Sequence, residues 1–157
     1  MYQQLQSMKF NEIELGQKAS LTHVILKKDI DRFVDLTGDD NKLHVDKEFA
    51  SNTSFKKPVV HGMLGASFIS TVIGTKLPGD GALWFSQSLE FLLPVRIGDE
   101  ITVLAEVTKK HERDQIIELD IKISNQNRQI VTRGVSKVKL VETTEEEELG
   151  ACVEKEL

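Results

Sequence analysis

Through the second half of the chain, apolar and polar positions alternate with a period of two. Leu83, Phe85, Gln87, Leu89, Phe91 and Leu93 alternate with Trp84, Ser86, Ser88 and Glu90. Ile101, Val103, Ala105 and Val107 alternate with Thr102, Leu104, Glu106 and Thr108. Ile117, Leu119, Ile121 and Ile123 alternate with Glu118, Asp120, Lys122 and Ser124. This period places successive side chains on opposite faces of an extended chain, and it predicts half-buried strands with one wet face. Residues 129–141 read as a further strand, with Thr132, Gly134 and Ser136 small on one face, and turns are expected at 94–99, 111–115 and 125–128.

The first half changes period. Residues 19–26 are rich in strand formers and read as an early strand. Over 28–37, Ile30, Phe33, Val34 and Thr37 fall on one helical face, and Gly38 stops the helix. A short helical turn is expected over 46–51, followed by a loop at 52–54. Residues 61–76 predict a second helix of another kind. Met63, Leu64, Phe68, Ile69, Val72 and Ile73 cover most of its circumference without a charge before Lys76, which predicts burial on nearly all sides. Gly62, Ala66, Ser70 and Gly74 draw a stripe of small side chains that lets another backbone approach. The pattern as a whole predicts one α+β domain over 1–142, a long antiparallel meander wrapped around one buried central helix.

Composition sharpens this at two points. A chain of 157 residues with 39% hydrophobic side chains has the size and core of one domain, and no apolar run reaches the ~18 residues of a membrane span. The net charge of −5 is confined to the end: residues 143–157 hold six acids and one base, which leaves nineteen of each sign in the rest. That segment reads as an acidic, disordered tail. A neutral body argues against nucleic acid as a partner. The single cysteine, Cys152, excludes an intrachain disulfide and a cysteine metal cluster, and the N-terminus lacks the basic and apolar regions of a secretion signal, so a cytoplasmic location is expected.

Candidate chemistry concentrates in Gly38-Asp39-Asp40-Asn41-Lys42-Leu43-His44, a loop that follows the first helix and sets a carboxylate five residues from an imidazole. Two such groups can hold and deprotonate one water molecule. The helix beginning at His61-Gly62 turns unsatisfied N–H groups toward whatever precedes it, a place for an oxygen that gains charge, such as a thioester carbonyl becoming an enolate. Adding water to an α,β-unsaturated thioester needs that sink, a base for the water and an acid for the α carbon. Asp39 and His44 supply the acid and base, Asn41 orients substrate or loop, and no metal-ligand spacing is present. Taken singly, each residue has another reading: Asp39 shapes a turn, His44 is a loop histidine, Ser70 packs a helix and His61 acts as an N-cap.

Three segments together resemble the MaoC-like hydratases of the hot-dog fold, in particular the short R-specific enoyl-CoA hydratases. Asp39-Asp40-Asn41-Lys42-Leu43-His44 is similar to the family's D-x-N-P-[LI]-H, with Lys42 where the family usually has proline. Phe55 through Leu64 is similar to F-x-x-P-[IV]-[VA]-H-G-[MT], and Gln87 through Asp99 to the family's central strand and turn; the likeness spans roughly 8–141. The resemblance implies a hot-dog fold and reversible syn addition of water to a trans-2-enoyl-CoA. It implies Asp39 and His44 as the catalytic pair, Gly62 as the thioester-oxygen donor, Asn41 as the motif asparagine, and Ser70 as support for Asp39, with His61 beside it. It also implies no cofactor beyond the coenzyme A of the substrate, and a homodimer with sheets joined edge to edge. Lys56 and Lys57 are candidates for the coenzyme A phosphates. A hot-dog thioesterase and a non-catalytic acyl-CoA-binding module are the alternatives.

Overall fold

A computed structural model describes residues 8–141; the acidic segment 143–157 lies outside the described residues. The elements in order are a 3-10 turn at Phe10–Glu12, β1 (Lys18–Val24), α1 (Lys27–Thr37), α2 (Lys42–Val45), α3 (Lys47–Ser51), α4 (Gly62–Thr75), β2 (Ala82–Phe91), β3 (Glu100–His111), β4 (Ile116–Ser124) and β5 (Ile130–Leu140). The five strands form one antiparallel sheet in the order β1-β3-β4-β5-β2. Ile101, Val103, Ala105 and Val107 of β3 and Ile117, Leu119, Ile121 and Ile123 of β4 are buried on the face that carries α4, as the alternation predicts. The opposite face carries ion pairs such as Arg133–Glu90 and Lys122–Asp120. A sheet laid around one long helix is the hot-dog arrangement. No helix among the described residues is long and apolar enough to cross a membrane.

Three expectations are corrected. The strands do not form one meander: the short turns keep β3, β4 and β5 adjacent, but β1 takes the other side of β3 and β2 pairs with β5 at the far edge. The chain returns from β2 to β3 through residues 92–99, pinned where Leu92 N–H donates to Val131 O at 2.8 Å and Val60 N–H to Val95 O at 2.8 Å. The alternation in β2 also breaks. A register shift between Trp84 and Ser86 leaves Leu83 and Phe85 exposed, and Trp84 packs against the core instead.

The third correction concerns α4. Leu64, Ala66, Ile69, Val72 and Ile73 are buried, but Met63 is 59% exposed and Ser67, Ser70 and Thr71 share an open face. A helix lying on a single sheet has only one covered side, so apolarity around its circumference does not mean burial around it. The small stripe is likewise uneven. A Cβ at Gly62 would meet the Phe91 ring at 2.7 Å, whereas one at Gly74 would meet nothing.

Candidate active site

The segment expected as a loop after α1 folds into a turn of helix. Gly38 ends α1 in the left-handed conformation, φ 75°, which glycine adopts without strain. Asn41 then caps α2, its Oδ1 accepting the Leu43 N–H at 3.0 Å. Lys42 is the first helical residue, the position where proline is favoured because its missing N–H has no intrahelical acceptor. The departure from the family pattern therefore falls where the cap still starts the turn. It leaves His44 facing back toward α4.

His44 and His61 are stacked, with centroids 3.9 Å apart and planes 30° from parallel. His44 Nδ1 lies 2.7 Å from the main-chain oxygen of Val59. A carbonyl only accepts, so Nδ1 carries the hydrogen and Nε2 is the ring's lone-pair nitrogen. A carboxylate oxygen of Asp39 and one ring nitrogen of each histidine lie within 4.8 Å of one another. The Asp39 side chain is half exposed, and its Oδ1 accepts the Asn41 N–H at 3.3 Å. That separation suits one water molecule held between the carboxylate and an imidazole.

The same three residues form a possible cation cluster. His61 Nε2, however, lies 2.9 Å from Asp39 O and so carries a hydrogen rather than a free lone pair. Asp39 and His44 then remain, too few for a structural site built from protein ligands.

Asp39, His44, His61 and Gly62 line one cavity of about 460 Å³. Its walls are apolar where four strand ends meet: Phe91 of β2, Ile101 of β3, Ile123 of β4 and Val131 of β5. Gly62 opens α4, a helix of fourteen residues, so its N–H is among those without an intrahelical acceptor, and the residue lines the cavity. A carbonyl oxygen placed there meets a positive helix end in apolar surroundings.

The structure thus brings Asp39, His44, His61 and Gly62 together. Asn41 does not line the cavity; it shapes the turn. Ser70 lies on the open face of α4, away from the cavity lining. Lys57 lines a second cavity of about 400 Å³ that also reaches His44 and includes Lys27, Lys47 and Arg96; Lys56 lines neither.

Two contributors escaped sequence reasoning. Val59 acts through its carbonyl, which side-chain chemistry cannot reveal. Arg96 binds the strand of chain just before it: Nη1 donates to Pro58 O at 2.9 Å and to Lys57 O, and Nη2 donates to Phe55 O at 2.9 Å. Between these carbonyls Lys56 is held at φ 61°, a conformation costly for a side-chain-bearing residue. A basic residue in an otherwise apolar return segment, Leu92-Leu93-Pro94-Val95-Arg96, was the available signal.

A hot-dog sheet with a carboxylate and an imidazole gathered on one cavity at the N-terminus of its central helix is the class of architecture that the fold and the site define. Within it, residues 9–129 match the family described as MaoC like domain, and the chain belongs to that family. It is 41% identical over 133 residues to an (R)-specific enoyl-CoA hydratase of Aeromonas caviae, covering 85% of this chain and 99% of the relative. It is 50% identical over 99 residues to an (R)-specific enoyl-CoA hydratase of Rhodospirillum rubrum, covering 63% and 69%. Among solved structures, an (R)-hydratase from A. caviae involved in PHA biosynthesis superposes with a TM-score of 0.79 at 42% identity, over 82% of this chain and 98% of that one.

Proposed function

We propose that this protein is an (R)-specific enoyl-CoA hydratase, equally an (R)-3-hydroxyacyl-CoA dehydratase, adding water reversibly and syn to a trans-2-enoyl thioester. One observation carries the reading: His44, with Nδ1–H committed to Val59 O, offers its Nε2 lone pair beside the Asp39 carboxylate in an apolar cavity roofed by the start of α4. Relatives of that name support it.

In the hydration direction, the pair holds one water and takes a proton from it as its oxygen bonds to Cβ. The C=C electrons move toward the thioester oxygen, which rests against the α4 N-terminus at Gly62. The pair then returns a proton to Cα, so one water is added in total. Delivery of both from one wall makes the addition syn. The reaction needs no cofactor beyond the coenzyme A that carries the substrate. Lys57 and Lys47 in the adjoining cavity suit the phosphates of that carrier, whereas Lys27 there is paired with Asp31 at 2.7 Å.

We further place two copies in the working enzyme. The free edge of β2, with Leu83 and Phe85 each 51% exposed, and the open face of α4 support a second copy as their cover. Ser70 would be covered with them. A substrate carried on coenzyme A supports a cytoplasmic location.

The test is hydration of crotonyl-CoA by the purified full chain, followed by loss of the enoyl absorbance and by chiral analysis of the product. A (3R)-hydroxy product is expected. Release of free thiol from a saturated acyl-CoA, with no loss of enoyl absorbance, would overturn the reading in favour of a thioesterase; binding without turnover would favour the non-catalytic module.

A further inference from the structure

His61 carries more structural work than a helix start requires. It is the N-cap of α4, yet its side chain caps no helix N–H. The residue is 3% exposed. Its Nε2 lies 2.9 Å from the main-chain oxygen of Asp39, twenty-two residues earlier, and 3.9 Å from Asp39 Oδ2, beyond hydrogen-bond range. One ring face lies on His44 and Phe33 of α1 sits 4.8 Å away. Its Nδ1 is buried without a partner among the described residues.

We propose that His61 is a positioning residue of the hydration site, held in the Nε2–H tautomer opposite to the Nδ1–H tautomer of the stacked His44. The inference rests on the hydratase reading above. Two independent hydrogen bonds impose the opposition. Each imidazole meets a main-chain carbonyl, which can only accept, but through different nitrogens: His44 through Nδ1 and His61 through Nε2. The orphaned Nδ1 fits this assignment, because a hydrogen there would be a buried donor with no acceptor.

The consequence for the site is geometric. The His61 N–H ties the Asp39 peptide to the start of α4, so the carboxylate is carried on a fixed main chain, with Oδ1 accepting the Asn41 N–H and Oδ2 out of hydrogen-bond range of His61 and open to water. Asp39 and His44 are the ionisable groups in contact with His61; α1 meets it with an aromatic ring. The stacked ring sets the plane of His44, and Val59 O sets its rotation within that plane. Asp39 and His44, which must align on one water, are thereby both placed by a residue whose own N–H is spent on a main-chain carbonyl.

Long-range 1H–15N spectra of the imidazoles in the intact protein at neutral pH test the tautomers directly, with ring signals assigned by His61→Gln and His44→Ala. The expected pattern is Nε2–H for His61 and Nδ1–H for His44. The same tautomer in both rings, or Nδ1–H in His61, overturns the proposal. Kinetics supply the second arm. His61→Phe keeps a stacking ring and removes the N–H, and is expected to lower kcat about 10–100-fold with KM within about threefold. His61→Gln restores an amide donor and is expected to recover most of that loss. A His61→Phe enzyme with kcat within about threefold of the parent overturns the positioning role. The spectra decide the tautomers whether or not His61→Phe folds, and they do so even if crotonyl-CoA proves not to be hydrated, which separates failure of this proposal from failure of the hydratase reading.

Discussion

The chain has four histidines, and they divide into two pairs by what they bind. His23 of β1 and His111 of β3 each meet a carboxylate: Nε2 of His23 is 2.9 Å from Asp29 Oδ2, and Nε2 of His111 is 3.1 Å from Glu118 Oε1. His44 and His61 instead meet main-chain carbonyls. A carboxylate that accepts a histidine N–H already has a partner in the fold. In the second pair the carboxylate, Asp39, is left half exposed at a cavity, and His44 keeps a lone pair beside it. The lesson is that proximity of histidine and acid does not make a site. A site requires that the two be held near each other by other atoms, so that each still has something to give to water.

The sharpest way to break this comparison is to neutralise one acid from each pair. Asp39→Asn is expected to lower kcat for crotonyl-CoA hydration by about 10²–10⁴-fold, with little change in melting temperature. Asp29→Asn is expected to do the reverse. Asp29 accepts the Leu26 N–H at 2.9 Å at the start of α1 as well as His23, whose ring stacks on Phe68 of α4 at 4.4 Å. Its loss should reduce stability by ~1 kcal/mol and leave kcat within about threefold. Parallel kinetics and thermal melts on the two variants check this, and equal effects on kcat would remove the distinction.

The strap before Val59 offers a middle-sized test. If Val59 O sets the His44 ring, loosening its anchor should reach the chemistry from a distance. Arg96→Lys keeps the charge but cannot place a planar fork on Phe55, Lys57 and Pro58 carbonyls at once. A kcat loss of about tenfold is expected, with a smaller change in KM. Unchanged kcat in a variant whose melting temperature has fallen would show that the strap serves the fold alone.

Much of this was legible in the chain because it depends on local pattern. The alternation over 101–108 and 117–124 located buried β3 and β4 faces, since a period of two needs no knowledge of neighbours. Asp39, His44 and Gly62 stood out because a carboxylate, an imidazole and a helix start are groups that acid–base chemistry would use, and the structure sets all three on one cavity. What was not legible depends on long-range pairing. β2 lies beside β5 while β1 takes the free edge of β3, and the inversion of Trp84 with Phe85 follows from one register shift. The open face of α4 could not be read either, because an apolar helix looks the same whether its second layer comes from its own chain or from elsewhere. Val59 and Arg96 act on main-chain oxygens, whose positions exist only in the fold.

The smallest effect concerns acid, and it isolates the structural pair. Hydrogen bonds from Lys109 and then His111 hold the Glu118 carboxyl below its ordinary value of 4.5, with Lys137 also near. Burial pushes Asp29 upward, but hydrogen bonds from the Leu26 N–H and His23 outweigh it and hold that carboxyl below 3.8. With both values depressed in the folded state, the unfolded chain binds more protons in this range. The stability these groups contribute is present above their ordinary values and is lost as pH falls through the depressed ones. Thermal midpoints should therefore fall as pH drops below about 5, and Glu118→Gln should flatten that fall while lowering the neutral-pH midpoint by about 2–4 °C. Hydratase activity at neutral pH should be unchanged, since Glu118 sits on the sheet face away from α4. An acid profile for Glu118→Gln that matches the parent would mean its cluster is a surface arrangement without a share in stability, and only His23–Asp29 would remain as the structural counterpart of the active pair.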